Sequence, residues 1–578
     1  DSAGLAIIEK GHLFVEKKSG KLDNLKNSLK DAGHYSNVGI GHTRWATHGV
    51  PTDVNSHPHC SCDKKVAVVH NGIIENYATL KDELIEKGYV FSSDTDSEVA
   101  AQLFSYLYTG DLLETIMKVR DKIRGSYALG IIHEEQPDKI ICTRKESPLI
   151  IGLGKDKNFI ASDVPAILKY TRDVIFLEND EIAIIEEGKV TVFNEEGKPI
   201  VKEISKIEWD MEQASKNGYP HFMLKEIEEQ PAVVERTLEV YIKPDGKIDF
   251  GKVFEKIDFE KIKEIDIIAC GTAYHAGLQA AYFFKKMAKI KTNVDIASEF
   301  RYSDPFLNED NLVIFISQSG ETLDTLMALK LARSKGAKTL AITNVVGSTI
   351  SREADVVLYT VAGPEISVAS TKAYTTQVVT FYLLALYVAF KCKRVTLEEY
   401  DSYLDKIYSL SEKIGKMFFN KEKIEKIAQE IKDKKNGFYI GRGIDEKITR
   451  EGSLKMKEIT YIHTEAFPAG ELKHGPIALI EEGTMIVVVS TQRDMVEKVA
   501  SNIKELKARG AFVISVTKAD YKEILDVSDR VILIDDIDDM VAPLLSMIPL
   551  QLLSYYTAVA KGLDVDKPRN LAKSVTVE

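Results

Sequence analysis

The sequence predicts an α+β domain followed by two α/β domains built on doubly wound parallel sheets. Three observations predict it. Short β-type runs dominate residues 1–210, with only a few helical stretches among them. From residue 259 strands and helices alternate, and the alternation runs twice past matching landmarks. The run Leu312-Val313-Ile314-Phe315-Ile316 is apolar throughout. It is too continuous for a half-exposed strand and reads as a parallel strand covered on both faces.

Length and charge bound the function. The chain has 578 residues, 44% of them hydrophobic, enough for about two to four domains with large cores. A formal net charge of -12 argues against coating nucleic acid, and equally against a strongly acidic partner surface. No run of about 18 apolar residues occurs, so no membrane span is expected. The opening Asp1-Ser2-Ala3-Gly4 lacks the basic head and apolar run of a signal peptide. Five scattered cysteines suit a reducing compartment and no disulfide frame. These features point to a soluble, cytoplasmic protein.

In the first part, 38–43, 66–70, 127–132, 140–144, 159–162, 182–185 and 190–193 read as strands. Glu186-Glu187-Gly188 reads as a hairpin turn between the last two. Helical stretches lie at 77–87, 97–108 and 112–123, which suggests a layered α+β domain. The chain opens at Asp1 without Met, and 3–8 already reads as a strand. The beginning is therefore expected to be cut into an existing domain.

Four clusters in this part could carry chemistry. In His42-Thr43-Arg44-Trp45-Ala46-Thr47-His48-Gly49, the Arg can fork onto a carboxylate and the Trp can cover a ligand; a surface loop with a packed Trp is the plainer alternative. His70-Asn71-Gly72 holds Asn-Gly, the strongest hairpin signal. It also offers an oxyanion hole built from the Asn71 side chain and the Gly72 N–H. Asp94-Thr95-Asp96 either caps a helix or receives an α-ammonium group. His57-Pro58-His59-Cys60-Ser61-Cys62 looks metal-like, but ligands so close together can hardly wrap one tetrahedral ion, so no metal is expected.

Taken together, Arg44-Trp45, Asn55-Ser56-His57-Pro58-His59, His70-Asn71-Gly72-Ile73-Ile74-Glu75-Asn76 and Asp94-Thr95-Asp96-Ser97-Glu98 occur in an order that resembles a known domain. It is the glutamine amidotransferase domain of the N-terminal-nucleophile class, with layered αββα architecture, found in the glutamine–fructose-6-phosphate aminotransferase family. The resemblance implies that Arg44, Trp45, Thr47, His48, Gly72 and Asp96 bind glutamine. It implies that Asn71 and Gly72 form the oxyanion hole. The family nucleophile is a Cys at the first mature residue, whose α-amino group is the base. Here Asp1-Ser2-Ala3-Gly4-Leu5-Ala6 resembles a segment a few dozen residues into that domain. Neither Cys60 nor Cys62 stands at a nucleophile position. A leading segment is thus expected to be absent, and a polypeptide beginning at Asp1 is expected to lose glutamine hydrolysis.

Residues 211–258 read as a connector. The part up to 229 is charged and helical, and Pro244-Asp245-Gly246 makes a turn. Beyond it, 259–392 and 393–563 form the repeat. Strand 265–269 ending in Cys270-Gly271-Thr272 matches 438–440 ending in Gly441-Arg442-Gly443. Strand 312–316 ending at Ser317 matches 485–489 ending at Ser490. Strand 339–343 matches 512–517, each after a Gly-Ala pair, and fainter strands follow at 356–360 and 530–534. Ligands should sit at the carboxyl ends of such strands. Gly441-x-Gly443 lacks the third Gly of a dinucleotide fingerprint, so NAD is not expected.

The two copies differ at one mouth. Ser317-Gln318-Ser319-Gly320-Glu321-Thr322 ends a strand just before a helical pattern (Leu323, Leu326, Met327, Leu329). Free N–H groups, hydroxyls and the helix dipole there make an anion pocket, and Gly320 lets the backbone approach a ligand. An ordinary Ser/Thr-capped turn remains the alternative. The second copy has Ser490-Thr491-Gln492-Arg493 without Gly. The first copy is therefore expected to hold phosphate, and the second to lend structure and catalytic side chains.

This repeat resembles a pair of sugar isomerase domains of the same family. The motifs are Gly271-Thr272, residues 317–322, Val368-Ala369-Ser370-Thr371-Lys372, residues 451–458, Glu471-Leu472-Lys473-His474-Gly475-Pro476 and the ending 568–578. Ala273 departs from the family, which usually carries a Ser there. The resemblance implies that Ser317, Gln318, Ser319, Thr322 and Thr272 bind the sugar phosphate, with Ala273 and Ala572 contributing backbone. Val368 and Ser370 line the hydroxyl-bearing chain. Lys573 forms a Schiff base with the C2 ketone, a reaction that needs the neutral amine. Glu458 moves a proton between C1 and C2, and His474 opens the sugar ring from a neighbouring subunit, which implies a homodimer. Lys455 stabilises the developing enolate.

Read without the resemblance, Lys573 is a solvated tail residue and Glu458 an exposed helix face. The tail 564–578 is too polar for a core helix and reads as a lid. Trp45 is the implied gate for ammonia. No metal, nucleotide or flavin is called for. The implied activity makes glucosamine 6-phosphate and glutamate from fructose 6-phosphate and glutamine, the first step of amino-sugar biosynthesis. A sugar-phosphate sensor of the same fold is the other class of reading. An isomerase or deglycase without an amide domain is disfavoured by Arg44-Trp45 and Asn71-Gly72.

Overall fold

The computed structural model describes residues 1–30, 33–44, 49–164, 166–207 and 215–576. They fall into two compact units. One holds 1–211, and the other most of 212–573, with Glu321–Leu323 and Ser574–Glu578 grouped with the first.

The first unit is layered. A seven-stranded antiparallel sheet runs Pro199–Ile200, Lys189–Phe193, Ile182–Glu186, Ile140–Lys145, Gly125–His133, Val66–Ile74, His59–Cys60. Its alternating side chains serve two cores. Tyr127, Leu129 and Ile131 pack under helices Tyr77–Glu86, Ser97–Leu107 and Leu112–Lys122. Ala128 and Ile132 face the other way. There they meet a four-stranded sheet (Ser205–Lys206, Asp173–Phe176, Ile150–Leu153, Asn158–Ala161) and a three-stranded one (His12–Ser19, Ser2–Glu9, Gly39–Arg44). Among the described residues, the helix Leu22–Leu29 lies against the three-stranded sheet. The expected hairpin closes at Glu186↔Lys189.

The Asn-Gly turn is overturned. Asn71 and Gly72 lie inside the Val66–Ile74 strand, opposite Ala128 and Tyr127. Gly72 has φ +128°, and a Cβ there would sit 2.1 Å from the Ser126 carbonyl. The Gly serves close backbone approach within a ladder rather than a reversal.

The second unit holds two five-stranded parallel sheets. The first runs Lys291–Ile296, Glu264–Ala269, Asn311–Ser317, Lys338–Thr343, Val356–Tyr359. The second runs His463–Pro468, Asn436–Gly441, Met485–Ser490, Phe512–Lys518, Arg530–Ile534. Both follow the order 2-1-3-4-5, so the repeat is real in topology. Every residue of Asn311–Ser317 is buried. The edge strands Lys291–Ile296 and His463–Pro468 escaped the sequence reading because their polar residues break the apolar run.

One core binds both sheets. Helices Lys372–Lys391 and Ala542–Ala560 form its centre. By length and composition each could cross a membrane, yet 89% of each apolar stretch is buried inside the protein. Residues 211–258, read as a connector, instead supply helices Phe222–Glu228 and Gln230–Tyr241 to this core, with Met223, Ile227 and Val234 fully buried.

The helix Ile444–Thr460 crosses Ala542–Ala560 closely at Gly452. A Cβ there would meet Leu550 Cδ1 at 2.8 Å and Tyr439 Cε1 at 3.1 Å. Overpacking of this kind costs about 1–3 kcal/mol. Gly452→Val should lower the unfolding free energy measured in urea by that margin and displace the carboxyl and lysine side chains on the same helix.

Candidate functional site

Two sites can be built, one in each unit. In the first unit a cavity of about 200 Å³ lies between the sheets, lined by Gly39–His42, Val69, His70, Asn71 and the Asn158–Ala161 strand among others. Asn71 accepts a hydrogen bond at its Oδ1 from His42 Nε2 at 2.5 Å. That fixes the amide, and the Asn71 NH₂ is the end left to donate. His42 stacks on His57 at 4.4 Å, and His57 meets His59 edge-on at 4.8 Å. His59 Nε2 lies 3.0 Å from Thr95 Oγ1, and His70 Nδ1 lies 2.8 Å from Ser97 Oγ.

Asp96 does not cap its helix. Its buried carboxylate accepts the Ile74 N–H at 2.8 Å, which ties the end of the Asn71-bearing strand to the helix start. Arg44 is buried and donates to the Gly49 carbonyl at 3.0 Å. Asn71, Gly72, Arg44 and Asp96 thus belong to one neighbourhood of strand ends and a helix start. Trp45, Thr47 and His48 lie outside the described residues. Among the described residues no group of three or more His, Cys, Asp or Glu side chains is arranged to hold a metal ion.

In the second unit the loop after the Asn311–Ser317 strand is set by Gly320. It has φ +67°, and a Cβ would sit 2.0 Å from Ser348 Oγ. Its N–H donates to Ser317 Oγ at 3.0 Å, and its carbonyl accepts from Ile350 N at 2.9 Å. The Gln318 carbonyl accepts from Asn344 N at 3.1 Å. The loop's conformation is thus held by the protein's own hydrogen bonds. Gln318 and Ser319 are half-buried, and Thr322 precedes the helix Leu323–Ser334.

Thr272 opens the helix Gly271–Phe283, with Ala273 packed against the core. Its hydroxyl faces a charged cluster rather than open space. Lys455, fully buried, donates to Thr272 Oγ1 at 3.0 Å and to Glu458 Oε2 at 2.5 Å, and lies 3.4 Å from Glu451. Glu451 accepts from Thr272 at 3.0 Å and from His275 Nδ1 at 2.7 Å. Burial works against the Lys455 charge, but Glu451 and Glu458 outweigh it and hold the ammonium. Burial also opposes Glu451, and Lys455 and His275 keep it ionised all the same. Glu458 goes the other way: burial lifts its carboxyl above the ordinary range despite Lys455.

Lys573 is drawn inward. Its Nζ lies 2.5 Å from Glu365 Oε2 and 3.4 Å from Ser370 Oγ. Glu365 is fully enclosed; its other oxygen accepts Thr371 N and Ala373 N at 2.9 and 3.0 Å. Burial pushes this carboxyl up, and the charge and hydrogen bond of Lys573 together with the Ala373 and Thr371 N–H groups more than reverse that. Asp566 positions the tail: its carboxylate accepts Phe222 N and Met223 N, both at 2.9 Å, at a helix start where the dipole favours an anion. Its carbonyl accepts Val368 N at 3.0 Å. Arg569 lies over the Tyr461 ring at 4.1 Å. Ala572 is half-buried beside Lys573.

Sequence reasoning gave no role to Glu365, Glu226, Glu451 or His275. Two of the pairs span 208 and 176 residues, which no local pattern signals. His474 is exposed, at the end of a 3₁₀ turn, and none of the described contacts joins its ring to either lysine cluster.

Residues 258–387 and 430–561 match the SIS domain family, and 42–169 the glutamine amidotransferase domain family. A glutamine–fructose-6-phosphate aminotransferase (isomerizing) of Fusobacterium nucleatum is 58% identical over 578 residues, all of this chain and 95% of the relative. One from Caldanaerobacter subterraneus is 54% identical with the same coverage. The solved C-terminal domain of glucosamine-fructose-6-phosphate aminotransferase from Francisella tularensis matches 61% of this chain and 100% of its own, at 41% identity and TM-score 0.59.

Buried His57 and His59 are held neutral, first by burial and then by neighbouring cations and imidazoles; burial lowers His42 to about 4. An unfolded His titrates near 6.5, so below that pH the unfolded chain binds protons that the fold refuses. Stability of the first unit should fall as pH drops from 6.5, by at most about 1.4 kcal/mol per pH unit for each such His. Hydrogen exchange along Val66–Ile74 in urea, corrected for intrinsic rates, should report a lower midpoint at pH 5 than at pH 7.

Proposed function

We propose that this chain, which belongs to the glutamine–fructose-6-phosphate aminotransferase (isomerizing) family, takes the amide nitrogen of glutamine and places it on fructose 6-phosphate. It then isomerises the product to glucosamine 6-phosphate and leaves glutamate. The observation that carries this reading is Lys573. Five residues from the end of a polar tail, it is held in an enclosed ion pair with Glu365 beside Ser370, where a solvated lysine would have no reason to be.

The division of labour follows the geometry. The Ser317–Gly320 backbone, with Ser319 and Thr322, takes the phosphate at the carboxyl end of a parallel strand. Lys573 attacks the C2 ketone after passing its proton to a carboxylate, Glu365 being in hydrogen-bond contact. Val368 and Ser370 hold the sugar chain beside it. Glu458, its carboxyl raised toward working pH, moves the proton between C1 and C2. Lys455, charged and fixed, steadies negative charge on the enolate oxygen. Thr272 orients Lys455 through its hydroxyl. The first unit binds glutamine, with Asp96 and Arg44 at its ends and Asn71 and Gly72 donating to the oxyanion.

His474 serves ring opening. Its exposure in the single chain fits a residue that completes the site of a second copy, so the enzyme works as a homodimer. On this reading the reaction starts amino-sugar synthesis in the cytoplasm. A sensor needs only the Ser-rich loop and gives no reason to bury Lys455 between two glutamates.

Lys573→Ala should lower glucosamine 6-phosphate formation by at least about 1,000-fold, with fructose 6-phosphate binding retained in calorimetry. Retained turnover would remove Lys573 from the reaction.

A further inference from the structure

Glu226 stands in the helix Phe222–Glu228, ahead of the first parallel sheet. It is 2% exposed. Oε1 accepts Ile366 N at 2.5 Å and Ser367 N at 3.2 Å. Oε2 is buried and has no hydrogen-bond partner among the described residues. A buried carboxylate with one bare oxygen is costly, and a protonated carboxyl is far less so. The two N–H donors come from the residues directly after Glu365, the partner of Lys573.

We propose that Glu226 is a positioning residue for Lys573: it clamps the segment from Glu365 to Ser370 and carries a proton that leaves Glu365 as the lysine's sole anionic partner. This rests on the Schiff-base role given to Lys573 above. Charges act on Glu226 from three elements: Glu365 on the clamped loop, Lys573 on the tail and Lys372 at the start of the helix Lys372–Lys391. Burial first, then Glu365, lifts Glu226 to about 8, while Lys573 and Lys372 pull it back. The pair is thus split, with Glu365 ionised and Glu226 neutral near neutral pH. When Glu226 ionises, a second anion faces the ammonium and holds its proton against transfer.

The test reads the imine. With fructose 6-phosphate, Nζ gives one proton to Glu365 and bonds to C2. Water leaves, and the C=N bond forms. Borohydride then delivers hydride to that carbon and fixes a secondary amine, scored by intact and peptide mass. The ratio of trapping rates, Glu226→Gln over wild type, is expected to rise about tenfold between pH 7 and 9.5, with a midpoint near 8. A flat or falling ratio overturns the proposal. No trapping in the wild type, or equal trapping in Lys573→Ala, overturns the Schiff-base reading itself.

A second readout needs no variant. In the wild type, an infrared band of a protonated carboxyl must vanish as pH rises from 7 to 9.5. A band that is absent, or that does not titrate, overturns the proposal even where Glu226→Gln fails to fold.

Discussion

The ion pair between Lys573 and Glu365 is the constraint on which the second unit's chemistry depends. The tail is polar, and its described residues lack regular structure. Val565 anchors its start in the core, and three polar points hold the rest. Asp566 caps a helix start, Arg569 stacks on Tyr461, and Lys573 ends in an enclosed carboxylate. Each point has its own supporting partner. Glu365 needs two N–H groups from the start of the Lys372–Lys391 helix, and its loop needs Glu226. Breaking one partner of a buried pair leaves a charge without compensation, which costs more than the pair contributes. That asymmetry explains how a lysine on a polar tail can be held in one place.

The same arrangement occurs twice in this unit. Lys455 sits with Glu451 and Glu458; Lys573 sits with Glu365 and Glu226. Each group holds one cation and two carboxyls. In each, burial raises both carboxyls, and the lysine together with added hydrogen bonds reverses the shift for only one of them: Glu451 has His275 and Thr272, and Glu365 has the Thr371 and Ala373 N–H groups. Two carboxyls pushed apart in this way divide the labour, one staying an anion and one able to exchange a proton. Glu458 is half-open and suited to a proton on substrate; Glu226 is sealed and suited to holding one.

The sequence made the central strands visible because burial on both faces leaves no polar residue in 312–316. It made Gly320 visible because the position demands both a positive φ and no side chain. Its blind spots have physical causes. The edge strands carry Lys, Asn, Asp and His on faces that meet water. The helix bearing Glu226 is rich in charge and reads as a connector, although those charges are turned into the core. Asn71-Gly72 has a hairpin's composition and a strand's conformation, since the Ser126 carbonyl on the neighbouring strand leaves room only for Gly. Glu365 and His275 meet their partners across long stretches of chain, so only folding reveals them.

The second copy of the sheet differs from the first at the end of its central strand. At its mouth, where the first copy turns through Gly320, Thr491 gives both its N–H and its hydroxyl to Asp445, at 2.7 and 2.6 Å. Asp445 is buried in the first turn of the helix Ile444–Thr460, which follows the neighbouring Asn436–Gly441 strand, where an anion is favoured. The chain's own carboxylate therefore takes the donors that a ligand's phosphate would need. With its mouth closed from within, this copy is free to present Glu451, Lys455 and Glu458 from the same helix toward Thr272 of the first copy. In the proposed reaction, duplication thus separates binding from proton transfer: one sheet keeps the anion site open, and the other fills it and gives its helix to the reaction.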